Sequence, residues 1–304
     1  MSRPPAESPT PPATGDAHPP AARGPLPPAA PGYHPRRTLP LRVEAVRQLR
    51  RRRTLVVGLL LAALPPLVAI AFAVGGAPDD SESALLDAAT ASGPNFAAVC
   101  LYLSAGFLLV VPVALFCGDT VAAEAGWSSL RYLLAAPVPR WRLLTAKLLV
   151  ALGFSAVAML LLPLVALGVG TAAYGWGELR LPTGGTLPAG EATFRLAIAL
   201  AAIFVGQLVT AALAFWLSTV TDAPLGAVGG AIGLTIVGSI LDAITALGDW
   251  RELIPAHWLY SWLDALQRDV EWHGMVRGGA VSLAYALVLV ALAYRHFARK
   301  DIVS

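Results

Sequence analysis

Lys147 and Lys300 are the only lysines in the 304 residues, and each follows a basic aromatic stretch, "RWRLLTA" and "YRHFAR", rather than a glycine-rich turn. A nucleotide-binding P-loop needs a lysine behind such a turn to reach the β- and γ-phosphates. This chain therefore carries no P-loop of its own. Its five histidines (His18, His34, His257, His273, His296) are scattered, no HExxH occurs, and no cysteine accompanies them at zinc spacing. The two cysteines, Cys100 and Cys117, share one apolar run and read as small packing residues. No catalytic, cofactor or metal residues are expected, and the chain does not read as an enzyme.

Polar groups inside apolar runs are the next place to look, because the bilayer makes them costly. Asp242 stands near the end of such a run, where it either belongs to a pathway or is paired locally. Gln207 reads as an interhelical hydrogen-bonding residue. The stretch "PLGAVGGAIGLTIVGSI" sets Gly226 and Gly230, and Gly229 and Gly233, four apart, so that a second helix can approach closely. These glycines face either the rest of the chain or a dimer or pathway surface.

The most mixed stretch is "GDTVAAEAGWSSLRYLLAAPVPRWRLLTAKLL", residues 118 to 149. Buried mid-membrane, Arg131, Arg140, Arg142 and Lys147 would cost on the order of 10 to 14 kcal/mol, so the stretch lies outside the hydrocarbon. As a helix over 120–136 it places Glu124, Trp127 and Arg131 on one side and Leu130, Leu133 and Leu134 on another. Pro137 and Pro139 disfavour helical angles in the residues before them, ending the helix near Ala135. A turn follows and a second helix begins at "RWRLLTAK". Such a helix–turn–helix forms a rigid lever between two spans, and its plain alternative is a basic connector.

The elements that would carry this lever follow from composition. The chain is 56% hydrophobic and 13% charged, with a mean hydropathy of +0.65, more apolar than a soluble core requires. Runs of about 20 residues that can cross the hydrocarbon as helices lie near 55–77, 96–117, 148–174, 194–220, 224–247 and 275–297. They are apolar on every side, unlike barrel strands, and the first follows too long a polar stretch to be a cleaved leader. The expected fold is all-α with six transmembrane helices, Pro163 interrupting the third.

Residues 1–40 hold 13 of the 25 prolines and read as a disordered tail. The segment 41–53, "LRVEAVRQLRRRR", sets Val43, Val46 and Leu49 against arginines as an interfacial helix or a basic flank. Seventeen of the 22 cations fall on one side if residues 1–54, the 118–147 loop and the C-terminal residues share it. The positive-inside rule then makes both termini cytoplasmic. The 78–95 connection, with Asp79, Asp80, Glu82 and Asp87 and no lysine or arginine, suits the outer face. The 248–274 segment carries Trp250, Trp258, Trp262 and Trp272 and is expected as one or two short helices at the outer rim.

The loop's order of residues, Glu124, then Leu130, Leu133 and Leu134, then Pro137, Val138 and Arg140, then Lys147, resembles the cytoplasmic loop of ABC-2 type transporter permeases. It departs where that family has Gly-Thr and this chain has Trp127, Ser128 and Ser129. The resemblance extends over residues 41–304 and implies an ABC-2 (type V exporter-like) transmembrane domain in the plasma membrane. It further implies an exporter made of two permease chains, identical or similar, docked on two copies of a separate P-loop ATP-binding subunit. Glu124, Trp127, Ser128 and Arg131 would then contact that subunit. Pro137 and Pro139 would shape the turn, with Arg140 and Lys147 anchoring it to lipid headgroups. Gly226, Gly229, Gly230, Gly233 and Asp242 would lie at the dimer or pathway surface. No nucleic-acid partner is expected. An ion-coupled secondary transporter and a non-transporting membrane anchor are the competing readings.

Overall fold

The computed structural model describes residues 41–75, 84–126 and 140–299, with the side chains of 124–126 and 140 outside the description. Nine α-helices lie among the described residues: α1 (Leu41–Leu49), α2 (Arg52–Gly75), α3 (Ala84–Asp87), α4 (Gly93–Ala105), α5 (Val110–Gly126), α6 (Arg140–Tyr174), α7 (Ala189–Val220), α8 (Pro224–Ala243) and α9 (Trp272–Arg299). Five of them are long and apolar enough to cross a membrane, and α4 with α5 make a sixth candidate bent by 52°. Leu59, Ile70 and Val74 of α2 and Leu287 of α9 are exposed on the outside of the bundle. In lipid such faces need no further cover.

The expected span at 96–117 is thus broken between Ala105 and Val110. Ser104 Oγ donates back to the Cys100 carbonyl at 2.6 Å, a bond that competes with the helical ladder and favours bending. Tyr260 packs beside the break: its hydroxyl stands 3.1 Å from where a Cβ on Gly106 would be. By contrast, Pro163 does not interrupt its span, for α6 runs unbroken through it from Arg140 to Tyr174. Loss of one backbone hydrogen bond is tolerated where neighbouring helices hold the rod straight, and α2, α4 and α5 all pack on α6.

Helix α5 lies at the centre of the bundle, against α6, α7 and α8. Its Val113, Ala114, Phe116, Cys117 and Val121 are buried. At Gly118 the approach of α8 is so close that a Cβ would lie 2.9 Å from Val228 Cγ2 and 3.2 Å from its backbone nitrogen. Successive spans alternate in direction, so 41–54, 126, 140, 220–224 and 299 share one end of the bundle, called here the basic end.

At the opposite end, Asn95 pairs with the backbone of Arg180 in both directions, donating to its carbonyl and accepting from its N–H at 3.0 Å each. This fastens the hairpin of β1 (Leu179–Arg180) and β2 (Thr186–Leu187) onto α4. Three 3₁₀ stretches, Thr245–Leu253, Pro255–Trp258 and Ser261–Leu266, complete that end. They differ from the expected rim helices in one respect that matters: Trp262 is buried at 1% exposure, while Trp250 and Trp272 remain exposed. Arg195, buried in α7, draws the last stretch inward by donating to the carbonyls of Ala265, Gln267 and Arg268.

Candidate functional site

The basic end holds a charge network that links the lead-in helices to both shoulders of residues 127–139. Asp119, with its side chain 1% exposed, is paired with Arg51, just before α2, and with Arg53 in its first turn. Lys147, about two turns into α6 and 3% exposed, donates to Glu44 Oε1 of α1 at 3.3 Å. Arg47 stands 3.9 Å from the same carboxylate. Lys147 is also close enough to Asp119 for their opposite charges to attract. An acid and a base held this far from water persist only as partners, because each alone would carry a large desolvation cost.

The chain reaches this arrangement through a bend between its first two helices. α1 ends at Leu49 and α2 begins at Arg52. Thr54 Oγ1 donates to the Gln48 carbonyl at 2.7 Å across the bend, directing Arg51 and Arg53 at α5. Two uncharged ties complete the end. Ser218 Oγ of α7 accepts from the backbone N–H groups of Val121 and Ala122 at 3.0 and 3.2 Å. The hydroxyls of Thr145 and Tyr294 meet at 2.6 Å, joining α6 to α9. Both shoulders of the 127–139 segment are therefore bonded to neighbouring helices.

Of the residues singled out from sequence, Trp127, Ser128, Arg131, Pro137 and Pro139 lie outside the described residues, as do the side chains of Glu124 and Arg140. Leu130, Leu133, Leu134 and the turn after Ala135 also lie outside them. Lys147 departs from its expected role: it points into the bundle toward Glu44 instead of anchoring to headgroups. The cause is a buried partner that a local reading of 140–147 does not contain.

Gly226, Gly229 and Gly233 are exposed on α8, and among the described residues no atom outside the adjoining helix turn lies within 4 Å of a Cβ built on Gly229 or Gly233. The face of α8 packed on the chain is instead Ala227, Val228 and Ala231, with Gly230 against Leu217. Asp242 has local partners, Arg251 Nε at 3.2 Å and His257 Nδ1 at 2.7 Å.

Sequence reasoning missed Asp119, Glu44, Arg51, Arg53 and Arg195. A signal existed for two of them. Asp119 is a single acid closing an apolar run opposite a four-arginine flank, and Arg195 is a lone cation at the start of another run; intramembrane charges of this kind call for a partner.

The fold defines a polytopic helical membrane protein with a charge network at its basic end. The chain belongs to the ABC-2 transporter family: the model of that family, described as an ABC-2 family transporter protein, matches residues 41–242, from α1 to the end of α8. No curated protein matches the chain.

Proposed function

We propose that this chain is the permease of an ABC exporter in the plasma membrane, driven by two copies of a separate P-loop ATP-binding subunit that dock on the loop around 127–139. The observation that carries the proposal is the pairing of Asp119 with Arg51 and Arg53, and of Lys147 with Glu44. These pairs couple both shoulders of the loop to α1 and α2, so a push on the loop becomes a movement of spans. Closure of the ATP-binding subunits would shift the balance between two access states of the bundle.

In this reading the basic end is cytoplasmic by the positive-inside rule. Glu124, Trp127, Ser128 and Arg131 contact the ATP-binding subunit, and Pro137, Pro139 and Arg140 shape the turn. The exposed Gly226, Gly229 and Gly233 on α8 receive the second permease chain, since small residues let helix backbones approach closely in a membrane. A secondary transporter with repeated halves would show paired helix breaks. Among the described residues α4–α5 is the one bent pair, which favours the ATP-driven reading.

Affinity purification of the tagged chain in mild detergent, followed by mass spectrometry, tests the proposal. A P-loop ATPase should accompany the chain and be lost from Glu124→Ala/Arg131→Ala. Absence of any such partner under several gentle conditions would overturn the reading in favour of a membrane anchor or a secondary transporter.

A further inference from the structure

A cavity of about 270 Å³ lies between α7, α8, α9 and the 254–262 segment, beside the break between α4 and α5. Its size exceeds the ~150 Å³ of an engineered apolar cavity that takes benzene. Among the described residues no charged side chain lines it. Most of its wall is aliphatic or aromatic, with Gly278 letting Trp258 approach so closely that a Cβ there would stand 2.4 Å from the Trp258 Cβ.

Two polar atoms in this wall are buried and unpartnered: Gln207 Oε1 and Trp262 Nε1. Gln207 is 4% exposed and Trp262 1%. Neighbouring polar groups do have partners. Trp258 Nε1 donates to the Glu252 carbonyl at 2.9 Å, and Thr235 Oγ1 donates to the Ala231 carbonyl at 2.9 Å. The two unpartnered atoms are an acceptor and a donor, yet they do not bond each other. Buried polar groups in native proteins find partners as a rule, so an unpartnered acceptor and an unpartnered donor on residues that line the same apolar space describe a ligand that could satisfy them.

We propose that this cavity binds an uncharged amphiphile whose hydroxyl or amide group donates to Gln207 Oε1 and accepts from Trp262 Nε1 while its apolar body fills the remaining space. A charged ligand is excluded because no counter-charge lines the wall and an unpaired ion in such surroundings is strongly disfavoured. The cavity wall includes Leu234 and Tyr285, 50% and 47% exposed on the outer faces of α8 and α9. In this proposal the ligand enters between α8 and α9, where these two side chains reach the surface. The site does not depend on how the chain is energised.

The test uses the full chain in phosphatidylcholine nanodiscs without any ATP-binding subunit, so that its failure leaves the permease reading standing. The probes are a diazirine-bearing octanol and its methyl ether, with labelled peptides mapped by mass spectrometry. The alcohol should label α7 or α9 saturably beside the cavity, and the ether should do so roughly tenfold less well, for want of a donor and a good acceptor geometry. Trp262→Phe/Gln207→Leu should remove that preference. Independently, Gly206→Leu, at a lining position where a Cβ meets nothing within 4 Å, should block labelling by filling the space. Equal labelling of the wild-type chain by alcohol and ether, or none in the cavity, would overturn the proposal without reliance on any variant. Lipid extraction of the purified chain separates the sources. About one neutral hydroxylated lipid per chain assigns the ligand to the bilayer, and alcohol labelling with no such lipid assigns it to a solute.

Discussion

Lys147 Nζ and Glu44 Oε1 meet at 3.3 Å, with the lysine 3% exposed, and join the helix that leaves the loop to the helix that begins the membrane domain. Removing Lys147 leaves Glu44, whose side chain is 18% exposed, with only the longer contact to Arg47 at 3.9 Å among the described residues. Lys147→Met is expected to cost about 3 kcal/mol of stability, read as a fall in the thermal midpoint in detergent. The double variant Glu44→Leu/Lys147→Met should recover most of that loss, because an apolar pair can replace a buried ion pair at little cost. A double variant no more stable than Lys147→Met would show that the pair is not the source of the effect.

The lengths of the apolar runs made the helices legible, and Pro224 marked the start of α8 without help from packing. The network at the basic end was not legible, because Asp119 finds Arg51 across 68 positions of sequence and no local pattern encodes that distance. The break at 106–109 lies in a uniformly apolar run, and Gly106 becomes informative only once Tyr260 is seen against it. Trp262 was assigned to the interface by a rule about tryptophan density. Arg195, from another helix, binds the carbonyls next to it and seats it inside. Each failure is a long-range contact overriding a sound local expectation.

Asp119 faces two arginines, so its loss should cost more than the loss of either. Asp119→Ala is expected to destabilise the chain by about 3 to 5 kcal/mol, whereas Arg53→Ala, whose side chain is 44% exposed, should cost much less. The exchange Arg51→Asp/Asp119→Arg should restore part of the stability lost in Asp119→Arg alone. Denaturation midpoints of the four variants decide the matter, and an exchange no better than the single reversal would refute a direct pair.

Two sets of glycines on neighbouring helices should respond oppositely. A Cβ at Gly118 would press on Val228 at 2.9 Å and on its backbone at 3.2 Å, so Gly118→Ala should cost about 1 to 3 kcal/mol through overpacking. At Gly229 and Gly233 the space is open. Gly229→Leu/Gly233→Leu should leave the single chain's thermal midpoint unchanged while lowering the dimer fraction seen by single-cysteine cross-linking in membranes. Unaltered cross-linking would remove α8 from the proposed dimer surface.

Asp264, half-buried in the last 3₁₀ stretch at the tryptophan-rich end, has its pKa raised above the usual 3.8, first by burial and then by the nearby Glu271. A carboxylate raised in the folded state favours folding when it is protonated. That contribution is fully present below 3.8 and is lost as pH rises through the folded value. At neutral pH the ion is therefore a burden, and Asp264→Asn should raise the thermal midpoint of the chain. The gain should shrink as the buffer is acidified toward 3.8, where the native side chain becomes neutral as well. Midpoints measured for both chains from pH 4 to pH 8 test this sign directly: an asparagine variant less stable than the native chain at neutral pH would mean that the carboxylate is held by a favourable contact that outweighs its burial.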